Sequence, residues 1–149
     1  MAKIIVCEDG YNDLLERYKR LGPAGHDVYA YLYDRFNGVF FEDPQTHTVS
    51  LTEKFAKFYE SAQFKEVRPY ADFRDALRVG NIPAADWYCL DGLNGDCLQL
   101  AEKLPQEKVL LVSGDPDIRR KGKKKGLLTS EPDCLDLKIF VRRDAGKPN

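Results

Sequence analysis

Apolar residues along this chain come mostly in short unbroken runs bounded by turn-forming residues. Lys3 to Cys7 is β-branched and continuous and stops at Glu8-Asp9-Gly10. Trp87-Tyr88-Cys89-Leu90 stops at Asp91-Gly92, and Val109 to Val112 stops at Ser113-Gly114-Asp115. Runs this short without alternation predict strands covered on both faces, as in parallel sheets. Two weaker strands are expected at Lys65–Tyr70 and Leu127–Thr129. Between them the spacing turns helical. Phe73, Ala76 and Leu77 place a helix over Asp72–Val79, ended by Gly80 and Pro83. Cys97, Leu100, Ala101 and Leu104 follow an Asp96 cap, and Pro105 closes that helix. Pro116–Lys125 reads as a basic helix weakened by Gly122, and a last helix buries Leu135, Leu137, Phe140 and Val141.

The region between the first strand and Ser50 breaks this rhythm. Asn12–Leu21 predicts a helix with Leu14, Leu15, Tyr18 and Leu21 on one face. The segment Val28-Tyr29-Ala30-Tyr31-Leu32-Tyr33 then leads to Asn37-Gly38, Val39-Phe40-Phe41, a turn at Asp43-Pro44 and Thr46–Val49. It reads as one or two β-hairpins. Ser50 with Glu53 forms a capping-box pattern for a helix burying Leu51, Phe55, Phe58 and Ala62. From that helix onward helices and strands alternate. The expected architecture is therefore α/β: a doubly wound five-stranded parallel sheet, flavodoxin-like, with a helix-plus-hairpin insertion at about residues 11–49 after the first strand. Residues 1–149 form one domain.

Composition narrows the function classes. The 23 basic and 24 acidic residues leave a formal charge of −1, which argues against a nucleic-acid protein working by bulk electrostatics. No apolar run approaches the ~20 residues of a membrane span. The N-terminus has no signal-peptide pattern, so a cytoplasmic protein is expected. Cys7, Cys89, Cys97 and Cys134 make no C-x-x-C pair, and with only His26 and His47 a His-rich metal site is excluded.

In a doubly wound sheet, ligands bind at the carboxyl ends of the strands. There the first strand supplies Glu8 and Asp9, the next core strand Asp91 and the next Ser113. Clustered carboxylates favour a hard cation such as Mg²⁺, which takes oxygen ligands and keeps several waters. A carboxylate beside it can attack phosphorus, with a hydroxyl and a cation on the phosphoryl oxygens. Taken singly, each of these residues is also ordinary helix-cap or turn chemistry.

The ordered set resembles the response-regulator receiver domain of two-component signalling. The matching segments are Val6-Cys7-Glu8-Asp9, Tyr88-Cys89-Leu90-Asp91, Leu111-Val112-Ser113-Gly114-Asp115 and Gly126-Leu127-Leu128-Thr129-Ser130-Glu131-Pro132. The Ser50 helix, the strand at Glu66-Val67-Arg68-Pro69-Tyr70-Ala71 and the helix Leu135–Arg143 fit the first helix, second strand and last helix. The resemblance implies a stand-alone phosphorelay signalling domain rather than a turnover enzyme. Asp91 would be phosphorylated by a histidine kinase or phosphotransfer protein. Glu8, Asp9, Asp91 and the Leu93 carbonyl would hold Mg²⁺, and Ser113 would bond the phosphoryl group.

The chain departs from that pattern in three places. Glu131 stands before Pro132 where the family has a lysine, with Lys138 or one of Lys121, Lys123, Lys124 and Lys125 as substitutes. Thr129 stands where an aromatic switch residue is expected. The loop Gly92-Leu93-Asn94-Gly95-Asp96 is short. These departures fit a degenerate receiver acting by protein–protein interaction, through the basic helix 119–125 or the insertion at 28–41. A Mg²⁺-dependent phosphatase of the haloacid-dehalogenase type and a Toprim-like nucleic-acid enzyme are alternatives. Both need Asp-x-Asp, which Leu93 denies at Asp91; for the Toprim-like reading Asp115-Pro116-Asp117 has that spacing. The basic run 119–125 has no interleaved aromatics for base stacking, which argues against nucleic acid.

Overall fold

Six parallel strands run side by side through the middle of the chain's computed structural model, which describes residues 2–8, 18–32, 40–47, 49–53, 62–92 and 96–131. In chain order the elements are β1 (Lys3–Glu8), β2 (Asp27–Leu32), β3 (Phe40–Glu42), β4 (Val49–Leu51), β5 (Glu66–Pro69), α1 (Tyr70–Arg78), β6 (Trp87–Asp91), α2 (Asp96–Glu102), β7 (Val109–Val112), α3 (Pro116–Lys124) and β8 (Leu128–Ser130). A single turn of 3₁₀-helix, Gln106–Lys108, precedes β7. The main sheet has the order β5-β2-β1-β6-β7-β8. Numbered by their own succession these strands run 3-2-1-4-5-6, a doubly wound order that reverses between β1 and β6. Without β5 the order is 2-1-3-4-5, that of flavodoxin-like sheets.

This corrects the expected insertion. Val28–Leu32 is no hairpin. It lies between β1 and β5, paired parallel to both, with Ala30 opposite Val6 and Val67. The sheet has six strands, and Glu66–Pro69, matched above to the second strand, is displaced to the edge. Parallel pairing is the reason a local pattern misleads here. The partners of β2 lie about twenty and about forty residues away, so no turn signal announces them. Val28, Ala30 and Leu32 are buried, whereas Tyr29 and Tyr31 are half-buried; Lys3 sits over the Tyr29 ring and Tyr31 packs on Phe73. Segment 28–32 is therefore interior strand.

The second half of that region does form a hairpin. β3 and β4 pair antiparallel, Phe41 opposite Ser50. Asp43 Oδ1 accepts from the backbone N–H of Gln45 at 2.8 Å, and its carbonyl accepts from His47 N–H at 2.8 Å. Ser50 is thus a strand residue rather than a helix cap, and Glu53 is the first helical residue after it. The body of the helix expected from Ser50, most of the Asn12–Leu21 helix and the final helix at Leu135–Val141 lie outside the described residues.

Alternation along the strands divides the core into two. Ile4, Val6, Val28, Trp87, Cys89, Leu110 and Val112 face one side, where they meet Tyr18, Leu21, Ala62 and Phe64. Ile5, Cys7, Tyr88, Leu90, Val109 and Leu111 face the other, under Phe73 and Leu77 of α1, Leu100 and Ala101 of α2, and Ile118 of α3. Both faces are apolar because both are covered, which is why the strand runs show no polar alternation. α3 approaches its strand closely. A Cβ on Gly122 would stand 2.5 Å from Leu111 Cδ2, so the glycine that weakens the helix also lets it pack.

Burial raises the phenol pKa of both Tyr31 and Tyr88; at Tyr31 the carboxylate of Glu66 adds to the effect. Tyr88 also donates to the Pro83 carbonyl at 2.6 Å. A neutral phenol is what folding favours, so this stability is complete below the ordinary tyrosine pKa of 10.0 and is lost as pH rises past it. Ultraviolet titration of the native chain should show tyrosines ionising later than in the denatured chain, and denaturant midpoints should fall above that pH.

Candidate functional site at the carboxyl edge of the sheet

The strand ends of the main sheet form a row. Pro69, Leu32, Glu8, Asp91, Val112 and Ser130 lie opposite one another in register from β5 to β8. Glu8 and Asp91 are direct neighbours at the point where the strand order reverses, where such sheets place their ligands. Two of the residues singled out from the sequence are therefore brought together by β1–β6 pairing, at backbone level. Asp9 and Leu93 lie outside the described residues.

Asp91 is 3% exposed. It falls on the same pleat as Trp87 and Cys89, so it points toward the core that contains Tyr18. The Tyr18 hydroxyl donates to its Oδ2 at 3.0 Å. A buried carboxylate requires such a donor, and a buried tyrosine requires an acceptor. Next along the strand, the Cys89 thiol is pushed well above its ordinary pKa by burial and, secondarily, by the Asp91 charge. It is a packing residue and not a nucleophile. Cys7 and Cys97 are buried as well.

Ser113 follows β7 and is 1% exposed. Its Oγ accepts from the Asp115 N–H at 3.1 Å, and its own N–H donates to the Ser130 carbonyl at 3.1 Å. Asp115 caps α3, with Oδ1 accepting from Asp117 N–H at 2.9 Å, and Pro116 occupies the first turn. The Asp115-Pro116-Asp117 spacing thus serves as a helix start.

Arg119, one turn into α3, was not separable from its basic neighbours in the sequence. Helical side chains lean toward the N-terminus, and here that direction is the sheet edge. Its guanidinium donates to the Ser113 carbonyl at 2.7 Å and pairs with Glu131 Oε1 at 3.2 Å, with the side chain 18% exposed. The Glu131 carboxylate is therefore paired with an arginine from the neighbouring helix. Lys121, Lys123, Lys124 and Lys125 are exposed, and Lys125 pairs with Glu102. Lys138 lies outside the described residues.

In the sequence Tyr18 stands out only as part of an apolar helix face. Its one signal was chemical: a tyrosine in a buried stripe needs a partner for its hydroxyl. Among the described residues, no group of three or more His, Cys, Asp or Glu side chains is placed to hold a metal ion. No helix among them is long and apolar enough to cross a membrane. Comparisons with protein-family models, curated proteins and solved structures find no match for this chain.

Proposed function

We propose that this chain is a degenerate receiver-like domain that signals by binding a protein partner and does not turn over a substrate. One observation carries this reading: Asp91, the residue in the phosphoacceptor position, is 3% exposed and its Oδ2 is engaged by the Tyr18 hydroxyl. An acceptor carboxylate must bring an oxygen within attacking distance of phosphorus. The Arg119–Glu131 pair supports the same reading. It places a neutralised couple where phosphoryl chemistry asks for an uncompensated cation. The ordered strand ends that resemble a receiver then serve as scaffold, and the partner is a kinase, a phosphotransfer protein or a downstream target.

The competing reading keeps phosphorylation of Asp91, with Mg²⁺ held by Glu8, Asp9, Asp91 and the Leu93 carbonyl. The register pairing of Glu8 with Asp91 favours it. Incubation with acetyl phosphate and Mg²⁺, followed by intact-mass measurement, separates the two. No added phosphoryl group is expected on the native chain. An addition that Asp91→Asn abolishes would overturn the degenerate reading. Mg²⁺-dependent hydrolysis of a generic phosphoester would overturn both in favour of a phosphatase or a Toprim-like enzyme.

A further inference from the structure

We propose that the cleft between α1 and α2 is a docking groove for an acidic peptide segment carrying an apolar anchor, presented by a protein partner. The cleft has a volume of about 290 Å³ and is lined by Tyr70, Arg74, Arg78, Gln99, Leu100 and Lys103. Its floor is apolar: Tyr70 and Leu100 are 4% and 7% exposed. Its walls are cationic. Arg74 and Arg78 lie one turn apart on one helix, with Gln99 and Lys103 one turn apart on the other side.

Among the described residues, Asp75 is the only acid paired with these cations. Both arginines lean on the same oxygen of Asp75, at 3.9 and 3.2 Å, and their side chains remain 58% and 71% exposed. Lys103 has no ion pair among the described residues. Glu102, at the end of α2, pairs with Lys125, the C-cap of α3. Cations concentrated on both rims of an apolar trough are complementary to carboxylates flanking a hydrophobic side chain. The chain's formal charge of −1 makes this local excess a departure from the whole.

A second observation favours a protein over a small anion. The residue after α1, Val79, is 73% exposed, and Ile82 is 38% exposed. They are two of the three large apolar residues exposed among the described residues, and they follow the arginine-bearing helix in the chain, Val79 as its C-cap and Ile82 beyond the turn at Gly80. A nucleic acid fits less well. The Tyr70 ring is buried and cannot stack on a base, and Asp72 and Asp75 lie on the same helix as the arginines.

This inference rests on the interaction reading above only in taking the ligand to be a protein. It is tested with the purified full chain and a random peptide library displayed on phage. Selected peptides should be rich in Asp and Glu around a Leu, Ile or Phe. A synthetic selected peptide, labelled with fluorescein, should bind about tenfold or more weakly to Arg74→Glu/Arg78→Glu. It should bind Lys123→Glu/Lys124→Glu, on α3, as tightly as the native chain. Because all four substituted positions are exposed, thermal melts should confirm that both variants fold. Peptides without acidic enrichment, no saturable binding, equal binding by the α1 variant, or tighter binding of single-stranded DNA that competes for the cleft would each overturn the proposal. Phosphorylation of Asp91 would overturn the degenerate reading and leave the groove standing.

Discussion

Gly22→Ala should destabilise the chain by about 3 kcal/mol or more. Gly22 is buried in the turn that follows Tyr18 and Leu21 and precedes β2. A Cβ there would lie 2.1 Å from the Ala62 carbonyl oxygen and 2.9 Å from that of Gln63. Both atoms are backbone, so no rotamer change relieves the contact. The two segments would have to separate, and with them the packing of Leu21, Ala62 and Phe64 against β2. For a domain of this size the loss corresponds to a fall in melting temperature of roughly 6–12 °C. A variant melting within a degree or two of the native chain would show that the turn and the 62–63 segment do not approach as described. Gly126→Ala is the informative comparison. Its site has nothing within 4 Å of a Cβ, so only the positive φ of 82° opposes it. It should cost about 1 kcal/mol.

Trp87→Ala should cost about 3–5 kcal/mol, the usual range for emptying a large aromatic site. Trp87 heads the fully buried side chains by volume and is 1% exposed. It opens β6 opposite Ile4, packs among the residues that cover one face of the sheet, and sits four residues before Asp91 on the same pleat. Its loss therefore loosens the strand that sets Asp91 beside Glu8. Trp87→Phe, which keeps most of the apolar volume, should recover more than half of the loss. Chemical denaturation with far-ultraviolet circular dichroism reads both effects, since the chain's one tryptophan is itself the residue replaced. Equal stability of Trp87→Ala and the native chain would place the ring outside the core.

Much of the fold was legible because its strongest signals are local. Val109–Val112 has the ends its sequence implies, and the helix expected over Pro116–Lys125 starts at its Asp-Pro signal and ends at Lys124, with Lys125 as its C-cap. Trp87–Asp91 runs one residue past the expected Leu90, and Asp96–Glu102 stops short of the expected Leu104. Two segments depart from their local patterns. Val28–Leu32 follows no local turn pattern because its strand partners lie far away in the chain, and Ser50 carries a cap pattern although it continues the second strand of the hairpin turned at Asp43-Pro44. At the site, the sequence pointed to Asp91 and Ser113 as strand ends. It could not show that Tyr18 and Arg119 reach them, because those contacts span 73 and 6 residues.

By itself the sequence determined the class of the protein. Short apolar runs, each ending in a polar residue and separated by helical spacing, require a parallel sheet covered on both faces, and they put Glu8, Asp91 and Ser113 at one edge. Only the tertiary structure decided what that edge can do. Burial of Asp91 against Tyr18 and neutralisation of Glu131 by Arg119 depend on which strand lies beside which, and on where a capped helix turns its first arginine. Those are long-range packing choices, made by the summed burial of the whole core and written in no single motif.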